Sequence, residues 1–189
     1  MFSKQKLNKQ KIDAVESFLC KKAQSSQLRF LLSACLVGEN CRYDGTSKMQ
    51  QQAWDAQSFS GAYPQLLKIE LICPELLGGL VVPRAPAELQ SQAKHVTVIN
   101  SLGCDVTKEY LRGAQRSLEL AKEFKADLCV LKSKSPSCSC YQVYDGSFSK
   151  TLIPGQGVSA ALLQKAGFIC IDEGDFSLLW PELKKILLR

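Results

Sequence analysis

The chain has 189 residues, 46% of them hydrophobic and 22% charged, with a formal net charge of +6. That length suits one domain, which buries roughly 70% of its unfolded-chain surface and needs no staples to hold a core. No segment approaches the ~20 consecutive apolar residues of a membrane span. The Lys-rich start lacks the apolar run and small-residue cleavage site of a secretory signal, so the expected location is the cytoplasm.

Residues 1–29 hold seven basic and two acidic side chains, a net +5 of the total +6. Residues 1–26 read as a basic N-terminal extension in which Leu7, Ile12, Val15, Phe18 and Leu19 roughly share a helical face. Such a segment is either a solvated helix or an arm that attracts a polyanion such as RNA. The globular domain, 27–189, opens with the apolar run Arg29–Ser33, a buried strand. A loop over Gly38–Lys48 follows, then a short helix over 62–67 and a second strand over Lys68–Cys73 stopped by Pro74. Gly78, Gly79, Pro83 and Pro86 mark irregular chain. A third strand or strand edge spans Val96–Ile99. Thr107 is the candidate cap of a helix over 107–124, with Leu111, Leu118 and Ala121 at helical spacing. Leu128–Leu131 is a further buried strand and Ser133–Gly146 a loop. A helix over 158–166, a strand over Phe168–Ile171 and a helix from Asp175 to Leu188 complete the chain. The alternation predicts an α/β fold of Rossmann-like type, a mostly parallel sheet flanked by helices in one domain.

Nine cysteines are many, and one histidine is few. Triads and His-rich metal sites would all rest on His95, which reads as an exposed or strand-edge residue. In a reducing compartment the cysteines are core residues, metal ligands or catalytic thiols rather than disulfides. Cys20, Cys129 and Cys170 sit in apolar patterns and read as packing. Cys35, Cys73 and Cys138 each follow a predicted strand. Open α/β sheets place their sites beyond the carboxyl ends of strands, so these three thiols have a common edge at which to converge. Thiolates suit iron–sulfur clusters and soft metals. Three ligands in place of four leave one iron of a cubane cluster without a protein ligand. Spacing alone does not separate this from buried thiols, since no Cys-x-x-Cys is present.

The flanking residues are more specific. Ser33-Ala-Cys-Leu-Val-Gly38, Cys41-Arg-Tyr-Asp-Gly45, Cys73-Pro-Glu-x-x-Gly-Gly-Leu80, Pro83-Arg-x-Pro-x-Glu88, Gly103-x-Asp-Val-Thr107, Leu131-Lys-x-x-Ser-Pro-Ser-Cys138, Tyr144-Asp-Gly-x-Phe-Ser149 and Gly157-Val-x-Ala-Ala161 run in one order. Over residues 29–173 the chain resembles the thiouracil desulfurase family in its short, single-domain form. The resemblance implies a 4Fe–4S cluster on Cys35, Cys73 and Cys138. It also implies non-redox removal of sulfur from a thiolated pyrimidine such as 2-thiouracil. An open iron is a Lewis acid for a soft thiocarbonyl sulfur. Glu75 is then the candidate acid, because a carboxyl in a partly dry pocket holds its proton more readily. Ser135 is the candidate for orienting water or the pyrimidine edge, and Ser137, Arg42, Asp44, Gly78 and Gly79 are candidates for contact with substrate. Arg42 with Asp44, and Arg84 with Glu88, are expected to pair and shape the pocket, with Arg84 otherwise free to meet a phosphate. Cys41 reads as a supporting residue. One departure stands beside the third ligand: the family usually has glycine where this chain has Ser139-Cys140, which makes Cys140 a competing thiol.

Two other classes remain open from the residues. A thiolated nucleoside or tRNA could be the substrate, gripped by the basic extension. A non-catalytic zinc or redox-sensing protein would use the same thiols without turnover. A purely nucleic-acid-binding module is disfavoured by the near-neutral body and the lack of an aromatic-rich basic motif.

Overall fold

The computed structural model describes residues 2–90 and 95–189, the side chains of residues 2–8 excepted. The expectation for Leu7 therefore lies outside the described residues. In chain order the elements are α1 (Phe2–Ala23), β1 (Leu28–Ser33), a 3-10 turn (Ala34–Val37), α2 (Gln51–Ala62), β2 (Leu67–Ile72), α3 (Pro74–Leu77), β3 (Ala87–Leu89), β4 (Val98–Asn100), α4 (Thr107–Phe124), β5 (Leu128–Leu131), β6 (Gln142–Tyr144), β7 (Leu152–Pro154), α5 (Val158–Lys165), β8 (Cys170–Asp172) and α6 (Glu173–Leu187).

Strands β2, β1, β5 and β8 form one parallel sheet in that order. Its period-2 alternation sorts the side chains into two cores. Phe30, Leu32, Leu128 and Val130 face one layer, where they meet Leu19 of α1, Phe59 of α2, and Phe176, Leu179, Trp180 and Leu183 of α6. Leu31, Cys129 and Leu131 face the other layer, against Leu118 and Ala121 of α4 and Ala160 and Leu163 of α5. The result is a three-layer α/β/α domain, as expected. Two antiparallel pairs, β3–β4 and β6–β7, stand outside the sheet. Among the described residues no helix is long and apolar enough to cross a membrane.

Several expectations shift. The helix expected over 62–67 is instead a turn leading into β2, and the helix lies earlier, in α2. Its buried stripe is only Ala53, Ala56 and Phe59, too small to show as periodicity, while Trp54 is exposed. The loop expected over Ser133–Gly146 contains β6. Thr107 is the first residue of α4 rather than its cap: Asp105 Oδ1 accepts from Thr107 N at 2.8 Å, and Thr107 Oγ1 accepts from Val98 N at 2.9 Å. Leu111 is exposed, and Tyr110, Gly113, Ala114 and Ser117 share the buried face with Leu118 and Ala121. The last helix starts at Glu173, because the Asp172 carboxylate accepts from Gly174 N and Asp175 N at 3.0 and 3.1 Å and caps it there.

Residues 9–23 pack on the body of the protein. Ile12, Val15 and Leu19 of α1 are buried in the first core, with α1 lying against α6 and β1. Phe18 stays exposed. Lys22 closes the join through an ion pair with the buried carboxylate of Asp127. Replacing Leu19, fully buried, should expose how much the helix contributes: Leu19→Ala is expected to cost about 2–5 kcal/mol, read as a lower urea midpoint. A change within about 0.5 kcal/mol, as at an ordinary surface position, would mean that α1 is not part of the cooperative fold.

Candidate active site

β1 lies between β2 and β5, and the chain leaves all three strands at the same edge of the sheet. Cys35 sits in the 3-10 turn directly after β1. Gly38 ends that turn with φ 101°, a backbone conformation open to glycine. Cys35 O then accepts from Lys48 N, and Leu36 O from Gln50 N, both at 2.9 Å, so the loop between them folds back over the turn. Within that loop Asp44 accepts from Arg42 Nε and Nη2 at 3.3 and 3.1 Å, from Thr46 N at 3.1 Å and from Thr46 Oγ1 at 2.6 Å. These bonds, the Thr46 hydroxyl first, hold its carboxyl down at about 2. The expected Arg42–Asp44 pair thus forms.

Cys73 follows β2 and precedes α3, with Pro74 at the first helical position, where a missing N–H costs nothing. α3 crosses α4 at very short range: a Cβ on Gly78 would fall 2.0 Å from Glu109 O, and one on Gly113 would fall 1.9 Å from Pro74 O. Gly78 therefore seats the helix that carries Cys73 and Glu75. Neither Gly78 nor Gly79 lines the cavity described below.

Cys138 lies on the segment after β5. Ser135 Oγ accepts from Ser137 N and Cys138 N, each at 3.1 Å, and so forms the turn. The carbonyls of Pro136, Ser137 and Ser139 accept from Val158 N, Ser159 N, Ala160 N and Gly157 N, so the segment caps the open N–H groups of α5. A Cβ on Gly157 would fall 2.4 Å from Ser137 C, and only glycine allows this approach. Ser137 is buried with an unpartnered hydroxyl and does not line the cavity. Ser139, standing where a glycine was expected, uses its hydroxyl to bridge Lys134 N at 3.1 Å and Gln142 O at 2.6 Å. Cys140 turns away, into the second core with Cys129 and Cys170.

These segments enclose a cavity of about 620 Å³, lined by Cys35, Cys41, Cys73 and Cys138 together with Glu75, Ser135, Arg42, Arg84 and the new participants Tyr110 and Lys132. Cys41, read as a supporting residue, has its thiol beside those of Cys35 and Cys73, and the Cys35 thiol first of all pushes it up to about 11. Cys73 Sγ in turn donates to Cys41 O at 3.7 Å. Burial pushes the Cys138 thiol up to about 12, against hydroxyl contacts from Ser33 and Ser135. Arg84 does not pair with Glu88, as expected from sequence. It grips Glu75 Oε2 through Nε at 2.8 Å and through Nη2, and donates to Cys41 O at 3.2 Å and Val81 O at 3.0 Å. So committed, and nearly buried, it is not a free phosphate ligand. Glu88 binds the β6–β7 turn instead, accepting from Gly146 N and Phe148 N. Tyr110 is buried against Glu75 and its phenol is raised, chiefly by burial. At the end of β5, Glu173 accepts from Lys132 Nζ, Ser133 N and Ser133 Oγ at 2.5, 2.7 and 2.8 Å. Burial alone would raise Glu173, but Lys132 pulls it below its ordinary value.

The donor set fits an iron–sulfur cluster. Buried thiols from separate segments surround one cavity, with hydroxyls and a guanidinium beside them. Among the described residues no three Cys, His, Asp or Glu side chains converge as one ion requires. A single zinc draws all its ligands to within ~2.3 Å of one point, whereas a cluster spreads its irons, and hence its thiolates, apart.

Residues 30–175 match the family model for 2-thiouracil desulfurase. An uncharacterized protein of Bacillus subtilis (strain 168), YbbK, is 39% identical over 156 residues, 78% of this chain and 97% of that protein. A solved structure of the 4Fe–4S-dependent thiouracil desulfidase TudS is similar with a TM-score of 0.73 and 34% identity, covering 84% of this chain and 99% of that one. With the family model, sequence identity and fold in agreement over most of its length, the chain belongs to the 2-thiouracil desulfurase family.

Proposed function

We propose that the protein is an iron–sulfur-dependent desulfurase that hydrolyses the C–S bond of a thiolated pyrimidine, with a 2-thiouracil-like base as substrate. Cys35, Cys73 and Cys138 would hold a 4Fe–4S cluster with one iron free of protein ligands. The observation that carries this reading is the meeting of thiols from the ends of β1, β2 and β5 with the Glu75–Arg84 pair in one cavity. A bound cluster supplies a soft Lewis acid for the thiocarbonyl sulfur. The chain supplies the rest. Its cavity, within the usual 300–1,000 Å³ for small-molecule sites, removes the flat ring from bulk water. Glu75, fixed at Oε2 by Arg84, passes protons between water and the ring. Ser135 has both acceptor positions occupied by Ser137 N and Cys138 N, which leaves its O–H to donate toward the Cys138 sulfur or into the cavity. Water oxygen replaces sulfur, which leaves as hydrogen sulfide, so no electron donor is needed.

A specific observation favours a charged form of the substrate. Lys48, Lys134 and Lys150 line the cavity, and none takes part in an ion pair among the described residues. A phosphate on a thiopyrimidine nucleotide or an RNA would meet them. The basic helix α1 adds to this only for a long polyanion.

After anaerobic reconstitution, Cys35→Ser, Cys73→Ser and Cys138→Ser should each lose iron and the visible absorption of the cluster, while Cys140→Ser and Cys41→Ser keep both. Bleaching by Cys140→Ser alone would overturn the ligand set, and zinc in place of iron in the native protein would favour the non-catalytic reading. Glu75→Gln should keep the cluster spectrum and lower kcat about 10²–10⁴-fold, the usual contribution of a positioned proton carrier; undiminished turnover would remove it from the chemistry. Comparing the thiolated base, nucleoside and nucleoside monophosphate at rising salt tests the three lysines. The monophosphate should show the highest kcat/KM and the steepest loss with salt.

A further inference from the structure

Phe148 is placed at cost. Its φ is 57°, in the left-handed region, where a bulky side chain is an outlier. The only other described non-glycine residues there are Lys125, Lys134 and Lys150. Lys125 ends α4, where such a conformation is ordinary. Lys134, Phe148 and Lys150 all line the active-site cavity. Strain of this kind persists only where surrounding structure enforces it, and it gathers at ligand sites.

The enforcement is visible. The buried Glu88 carboxylate accepts from Gly146 N at 3.1 Å and Phe148 N at 3.0 Å. Gln90 Nε2 donates to Gly146 O at 3.4 Å, and Asp145 N donates to Thr151 O at 3.1 Å. The turn between β6 and β7 is thereby locked to β3, with the Phe148 ring at the cavity. Phe148 is 39% exposed, and among the described residues no aromatic ring or cation stacks on its ring. Two other aromatic groups of the cavity already have partners: Tyr110 is buried against Glu75, and the Arg42 guanidinium lies over the Tyr43 ring at 5.5 Å.

We infer that Phe148 is the stacking platform for the pyrimidine ring, and that Glu88 is the positioning residue that holds it in the left-handed turn. The inference rests on the desulfurase reading and adds the residue that selects a flat aromatic substrate. An exposed apolar ring held against its backbone preference gains nothing from the fold itself. A planar base laid on it recovers dispersion and hydrophobic contact on a face that otherwise stays wet.

The test uses cluster-loaded protein, KM for 2-thiouracil, and the Ki of uracil, which has no sulfur to lose. Phe148→Leu keeps apolar bulk without the ring, and Phe148→Gly relaxes the backbone. Both should raise KM and Ki by the same factor, about 5- to 150-fold, the range for a lost base–aromatic stack. The visible spectrum and the thermal midpoint should hold. Phe148→Tyr should restore most of the affinity lost in Phe148→Leu, and Glu88→Gln should shift KM and Ki in the same direction as Phe148→Leu. KM and Ki unchanged in both Leu and Gly variants would overturn the inference and leave the desulfurase reading standing. Wild-type protein that neither turns over 2-thiouracil nor is inhibited by uracil would overturn both.

Discussion

The pairing of β1 with β2 on one side and β5 on the other is the constraint on which the site depends. Leu28–Ser33 runs in register with Leu67–Ile72, and Phe30–Leu32 with Leu128–Val130. Because all three strands are parallel, their carboxyl ends reach one edge, and the chain turns off that edge carrying Cys35, Cys73 and Cys138. The order β2–β1–β5–β8 means that the chain moves outward from β1 in one direction, then returns to build in the other. Such reversals open a crevice between the diverging connections. A slip of one residue in β1 would exchange the faces of Phe30 and Leu31 and move Cys35 relative to the other two thiols together. The cores that fix the register therefore also fix the spacing of the thiols.

What the sheet leaves loose, polar groups tie down. The segment bearing Cys138 has no strand or helix of its own. It is held because its carbonyls satisfy the first N–H groups of α5, while Ser135 and Ser139 bind its own backbone. Arg84 joins three separate pieces of chain: Cys41 O, Val81 O and the Glu75 carboxylate. A guanidinium has five donors in a rigid fork, which a lysine could not reproduce. Replacing it would leave Glu75 uncompensated at the cavity wall and release the loop that brings Cys41 to Cys35 and Cys73.

The strands and helices of the body were legible where periodicity is carried by large side chains. Leu128–Leu131 and the face containing Leu118 and Ala121 are of this kind. α2 was not legible, because a stripe of two alanines and one phenylalanine gives almost no signal. The same holds for β3 and β6, three-residue strands whose partners are remote or themselves short. At the site, the motif residues Cys35, Cys73, Cys138, Glu75 and Ser135 do line one cavity. Ser137 and Gly78, equally prominent in the motifs, shape backbone contacts instead. Such roles are invisible in sequence, since a glycine that seats a helix and a glycine that admits a substrate look alike. Cys41, read as a supporting residue because it stands six residues on from Cys35 with a different flank, also lines the cavity, because the loop folds back through Lys48 N and Cys35 O.

In a zinc finger the ligands must gather before any core exists, and a cluster held in this cavity would stand in a different relation to its fold. Both cores of this protein, one on each face of the sheet, are built mainly of aliphatic and aromatic side chains, with Cys35 and Cys41 in one and Cys138 in the other. The cavity is shaped by hydrogen bonds already complete among Ser135, Ser139, Arg84, Glu75 and Glu173. The walls of the cavity are thus held in place by the chain's own bonds. Cys138 holds its proton up to about 12. A thiol must lose its proton to bind iron, so each ligand that joins a metal releases one. Desolvation, which holds the Cys138 proton in place, also strengthens the iron–thiolate attraction once that proton has gone. The desolvation that would favour a bound iron core is thus the same one that keeps the Cys138 thiol protonated. Phe148, Lys48, Lys134 and Lys150 line the same cavity.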